Sequence, residues 1–183
     1  MRRTFKDPSH QAAFERDGFV QLSLLDRVDI DRLRAHYLAF TDGGKVQNSV
    51  YGMFVSLDGT ELTLKHRTID LLREVILPRM ESYAHECRTH LGSYLVKVPG
   101  PASYTYPHQD WTFIDNDRLD DFVSFTVWIA LGDYEPGSGA LGFVKGSHRF
   151  FRNINCSPSP AARTPTQGLE PLLFRYLTFP AIR

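Results

Sequence analysis

Phe122-Val123-Ser124-Phe125-Thr126-Val127-Trp128-Ile129-Ala130-Leu131 is the stretch on which the fold turns. It holds no glycine, proline or charge, and β-branched or aromatic side chains fill seven of its ten positions. Such side chains fit a pleated surface and lose rotamer freedom in a helix. The run therefore predicts a β-strand, and its period of two puts Thr126 and Trp128 on one face. Working outward, residues 93–98 predict a second strand, closed by the turn Pro99-Gly100-Pro101. On the other side, Glu135-Pro136-Gly137-Ser138-Gly139 reads as a turn and residues 140–144 as a short return strand. Residues 157–168, with three prolines, read as a loop, and residues 172–179 as one more strand.

Before residue 93 the pattern is helical. Asp7-Pro8 is a start signal, a capping aspartate followed by proline in the first turn. That helix runs through Phe14 and stops at Asp17-Gly18, and Phe19–Leu22 reads as a short strand. From Asp29 to Phe40, the residues Ile30, Leu33 and Tyr37 recur on one helical face, and Thr41-Asp42-Gly43-Gly44 ends the helix. Another begins after Thr68 and buries Leu71, Leu72, Val75 and Ile76. Pro78 is expected to interrupt it, with a new helix running to Leu91 and stopped by Gly92. Helices first and strands later predict an α+β fold in a single domain, residues 1–183. Its helical part, 1–92, buttresses a β core, 93–183.

Composition narrows the function. Lysine plus arginine and aspartate plus glutamate balance at 21 each, so no basic field for nucleic acid exists. A small-molecule substrate is the better expectation. Two cysteines, Cys87 and Cys156, are too few for a disulfide scaffold or a thiolate zinc site. No apolar stretch follows the basic N-terminus, and no segment reaches the roughly 18 apolar residues of a spanning helix. The expectation is a cytoplasmic protein that does not enter membranes.

His108-Gln109-Asp110 lies between two predicted strands. Oxygenases that use iron(II) hold it by two imidazoles and one carboxylate, with positions left open. Residues two apart in an extended segment project to one side, so a His-x-Asp unit can give two ligands to one ion. Alone the pattern is weak. With 7 histidines and 14 aspartates in 183 residues, chance supplies about half a His-x-Asp per chain. A turn hydrogen bond would explain it as well.

The surroundings sharpen it. His108-Gln109-Asp110-Trp111, Val127-Trp128-Ile129-Ala130-Leu131, Gly137-Ser138-Gly139-Ala140-Leu141 and Gly146-Ser147-His148-Arg149 occur in order. Lys97-Val98-Pro99-Gly100 precedes them, and Phe14-Glu15-Arg16-Asp17-Gly18-Phe19-Val20 opens the series. Together these blocks resemble the phytanoyl-CoA dioxygenase family. The resemblance implies a double-stranded β-helix, the jelly-roll barrel, with its metal at the open end. It implies that His108 and Asp110 are iron(II) ligands and that Trp128 lies against the co-substrate 2-oxoglutarate, with O2 as the oxidant. Ser93, four residues before Lys97, falls at a strand position that contacts the same co-substrate. Thr126 shares the face of Trp128. Plain barrel packing is the structural alternative for all three.

One departure stands out. The family's distal metal histidine, and the arginine that follows it to pair the far carboxylate of 2-oxoglutarate, have no match here. His148 is the one histidine after Asp110, and it belongs to the Gly-Ser-His-Arg turn. The expectation is that the missing groups lie beyond Arg183 and that these 183 residues alone do not turn over. The implied activity is hydroxylation of an unactivated C–H bond, and Asp110 argues against a halogenating variant. The rivals are a catalytically silent jelly-roll binding module and a cupin-like metal enzyme that uses no 2-oxoglutarate.

Overall fold

Asp7 sets the first helix: its carboxylate accepts the backbone N–H groups of Ser9 and His10, two donors that the first turn leaves without helical partners. The computed structural model describes residues 3–41, 53–58, 61–89, 92–97, 123, 125–133 and 141–149. They form α1 (Pro8–Asp17), α2 (Arg27–Phe40), β1 (Met53–Val55), α3 (Leu62–Tyr83) and β2 (Leu95–Lys97). Short 3-10 turns occupy Ser56–Asp58 and Ser147–Arg149. Among the described residues no helix is long and apolar enough to cross a membrane. The described residues fall into two compact units.

One unit contains α1, residues 125–128 and residues 141–149. Gln11, buried on α1, accepts the N–H groups of Thr4 and Phe5 through its side-chain oxygen, each at 2.8 Å. This folds the N-terminal segment back so that Phe5, almost wholly buried, meets Phe14 edge-on with ring centroids 5.2 Å apart. Phe125 completes the aromatic cluster, 6.1 Å from each. Phe19 stacks on Phe143 at 4.8 Å.

The other unit holds α2, α3 and a two-stranded antiparallel sheet. In its register Met53 faces Lys97, Phe54 faces Val96 and Val55 faces Leu95. Leu33 of α2, Leu72 and Val75 of α3, and Tyr94 form the buried core, with Leu131 packed at its margin. Ion pairs bind the helices at the rim: Arg32 to Glu74 at 2.8 Å, and Arg79 to Asp29 at 2.8 Å and Asp26 at 3.1 Å.

Several expectations change. Helix α3 starts at Leu62, not after Thr68, because its first turns expose most side chains and leave no apolar period to read. It also runs through Pro78. A proline removes one helical N–H, and here buried Val75 and Met80 on either side, with the Arg79 ion pairs, hold the helix across the gap. It ends at Tyr83 rather than Leu91: Ala84 is extended and Glu86 takes φ +44°, which no α-helix accommodates. Gly92, expected as a helix stop, instead lets the chain pass close to α3. A Cβ there would lie 2.8 Å from Leu72 Cδ1.

The strand expected over residues 93–98 is present as β2, Leu95–Lys97, and pairs with β1, which is too short to show a period. Within the run 122–131, residues 123 and 125–131 form no ladder among the described residues. A strand requires a hydrogen-bonded neighbour, and no described residue supplies one. Residues 19–22 and 141–144 likewise carry no ladder. The α+β character holds as helices with a small two-stranded sheet. The expected turns at 99–101 and 135–139, the loop 157–168 and the strand 172–179 lie outside the described residues, as do His108 and Asp110.

Candidate metal and co-substrate site

Tyr94, which follows Ser93, is held at both its backbone and its side chain. Its backbone N–H donates to Ser56 Oγ at 2.9 Å, and its carbonyl accepts the Ser56 N–H at 3.0 Å. Its hydroxyl donates to the Leu33 carbonyl at 3.0 Å and lies 3.4 Å from His36 Nδ1. With 4% of its surface exposed, its phenol is pushed up to about 12, because burial disfavours phenolate. The rings of His36, Tyr37 and Phe40 surround it, with centroids 5.6–5.9 Å away. His36 is shifted down by the same loss of water and secondarily by the charge of Arg67. Ser93 precedes this anchor and is half-buried. The fixed backbone of Tyr94 therefore fixes the approach of Ser93 to β2.

Thr126 and Trp128 belong to the unit that contains α1. Both are exposed, Trp128 by 46%, while Phe125 is half-buried in the aromatic cluster with Phe5 and Phe14. Val127 between them is exposed as well, so no alternation of burial marks the inward-pointing face expected for Thr126 and Trp128. Plain core packing does not describe a tryptophan so exposed.

In the same unit, the turn at residues 146–149 closes the end of α1. Gly146 N–H donates to the Asp17 carbonyl at 2.8 Å. The Arg149 guanidinium donates to the carbonyls of Glu15 at 2.6 Å and Arg16 at 2.8 Å. These are among the last helix carbonyls, which lack intrahelical donors and carry the negative end of the helix dipole, so a cation fits them. Gly18, at φ +85°, lets the His148 ring lie against the backbone, and a Cβ there would collide with Nδ1. His148 Nδ1 is buried and makes no hydrogen bond among the described residues. The turn role expected for His148 is what its surroundings show. Residues 14–20 and 146–149, two blocks far apart in the chain, meet here.

Among the described residues no group of three or more histidine, cysteine, aspartate or glutamate side chains is placed to hold a metal ion. The anchor made by Tyr94 and Ser56 and the clamp made by Arg149 escaped the sequence reading. An aromatic residue one place before an alternating run was the available signal for Tyr94. For Arg149 there was none beyond its motif.

Comparison with known proteins shows what the chain is similar to. The zebrafish (Danio rerio) protein named phytanoyl-CoA dioxygenase domain-containing protein 1 is 33% identical over 82 residues, 45% of this chain. The matched stretch is 23% of that relative's length. No solved structure matches the chain. The family model for phytanoyl-CoA dioxygenase matches residues 14–170, and so takes in the helical opening, His108-Gln109-Asp110, Trp128 and the turn at Arg149. With most of its length matched in this way, the chain belongs to the phytanoyl-CoA dioxygenase family.

Proposed function

We propose that the chain is one oxygenase domain, dependent on iron(II) and 2-oxoglutarate, that hydroxylates an unactivated C–H bond of a small organic substrate. The observation that carries this reading is His108-Gln109-Asp110 within the family match. An imidazole and a carboxylate are the donors that iron(II) takes in such enzymes, so His108 and Asp110 would hold the metal. Bound iron, with 2-oxoglutarate and O2, supplies the oxidising chemistry, and the protein supplies position and shelter from water. Trp128 offers an exposed indole face to the co-substrate, with Thr126 two residues before it. Ser93, two residues before β2, is the further polar contact we assign to the co-substrate. A jelly roll is the fold we assign, on the strength of the family match.

The test is an anaerobic iron(II) titration with and without 2-oxoglutarate. The expected result is metal binding, metal-dependent 2-oxoglutarate binding, and loss of both in His108→Ala with an unchanged far-ultraviolet circular dichroism spectrum. Metal bound equally well by His108→Ala would overturn the reading. Trp128→Ala should weaken 2-oxoglutarate binding while its stability loss stays well short of the about 3–5 kcal/mol of a core tryptophan.

A further inference from the structure

Phe125 differs from the three residues that follow it. Thr126, Val127 and Trp128 are exposed, whereas Phe125 is half-buried. Its ring lies 6.1 Å from that of Phe5 and 6.1 Å from that of Phe14, and those two meet edge-on at 5.2 Å, so the three rings close a triangle. Aromatic pairs at about 4.5–7 Å prefer tilted and edge-to-face contacts, which fix orientation as well as distance. Two of the rings are set locally. The side-chain oxygen of buried Gln11 holds the N–H groups of Thr4 and Phe5, and its amide donates to Glu15 at 2.7 Å. Phe5 is thereby held in place, and Phe14 is carried by α1 itself. A seat already ordered costs little freedom when a third ring joins it. Phe5, Phe14, Phe125 and Trp128 all belong to the unit that contains α1. Three residues of chain reach at most about 11 Å, so a fixed Phe125 confines the position of the Trp128 indole. A binding group works at full strength only when packed neighbours hold it to within about 0.5 Å.

We propose that Phe125 is a positioning residue for Trp128, holding the segment that presents the indole to 2-oxoglutarate; the inference rests on the oxygenase reading. Its test is calorimetric binding of 2-oxoglutarate to the 183-residue chain, loaded with zinc(II) to prevent turnover. Far-ultraviolet circular dichroism checks the fold of each variant. Phe125→Leu should weaken 2-oxoglutarate binding by about three- to tenfold, the lower part of the range for coupled neighbours, and leave zinc(II) binding within about twofold. Phe125→Tyr, which keeps the ring, should stay close to the wild type. The double variant Phe125→Leu, Trp128→Ala should bind 2-oxoglutarate no more weakly than Trp128→Ala alone, because Phe125 acts through the indole. A residue that only supports the fold would instead add its loss to that of Trp128→Ala. Should Phe125→Leu misfold, Phe14→Leu loosens the same seat from α1 and gives the same comparison. Unchanged 2-oxoglutarate affinity in Phe125→Leu, or additive losses in the double variant, overturns the role of Phe125 and leaves the oxygenase reading standing. A wild-type chain that binds no 2-oxoglutarate overturns both.

Discussion

At the scale of single residues, the chain ties its helices to distant backbone through a few side chains. Gly18 is one hinge of this arrangement. Its left-handed backbone and the His148 ring pressed against it forbid a side chain for two separate reasons. Gly18→Ala is expected to lose at least the about 1–2 kcal/mol of a left-handed alanine, read as a lower urea midpoint, with extra loss from the collision. His36 gives a pH dependence of definite sign. Its folded pKa lies below the ordinary 6.5, first through burial and then through Arg67, while the Tyr94 hydroxyl and the Phe40 ring are its other neighbours. Below pH 6.5 the unfolded chain therefore binds the proton first, and stability falls as pH drops toward the folded value. A melting temperature that declines below pH 6.5 in the wild type and less steeply in His36→Gln is the expected outcome. Identical slopes would remove His36 from the account.

At the scale of elements, α3 shows what packing does to propensity. Its 22 residues include a proline that an isolated helix would not carry, yet the helix is continuous from Leu62 to Tyr83. Buried Thr68, Leu72, Val75 and Met80 spread along its length, and each side of Pro78 is held to the core. Pro78→Ala restores the missing backbone donor to the Glu74 carbonyl and should stabilise the protein by about 1–3 kcal/mol, a share of the usual interior proline penalty. Equilibrium denaturation checks this, and a destabilised alanine variant would mean that the ring fills space the methyl group cannot. The α1 clamp makes a similar point. Asp7 starts that helix from within its own sequence, whereas Arg149, over 130 residues away in the chain, finishes it.

At the scale of the whole molecule, the question is how many iron ligands these residues provide. His108 and Asp110 are the two we propose. The remaining histidine after them, His148, has its Nδ1 buried against Gly18. Two protein ligands hold a divalent ion less tightly than three, and the open positions of an oxygenase centre assume a full set. The purified 183-residue chain with iron, ascorbate and 2-oxoglutarate is therefore expected to release no succinate above a metal-free control. Robust, metal-dependent release from a verified monomer would bring His148 back as a ligand, and would require its ring to leave Gly18.

The sequence by itself determined whatever depends on neighbours in the chain. The Asp7 cap, the stop at Gly18, the helical face of Ile30, Leu33 and Tyr37, and the turn at Gly146–Arg149 were all legible, because capping, backbone handedness and periodicity act within a few residues. The reading of His108-x-Asp110 is of the same local kind, a spacing, and those two residues lie outside the described ones. Only the tertiary structure decided that Pro78 stays inside a helix, that Met53–Val55 pairs with Leu95–Lys97, that Tyr94 is held by Ser56 and Leu33, and that Arg149 closes α1. Those outcomes rest on contacts between segments far apart in the chain, where burial and hydrogen bonding outweigh local preference and leave no local pattern to read.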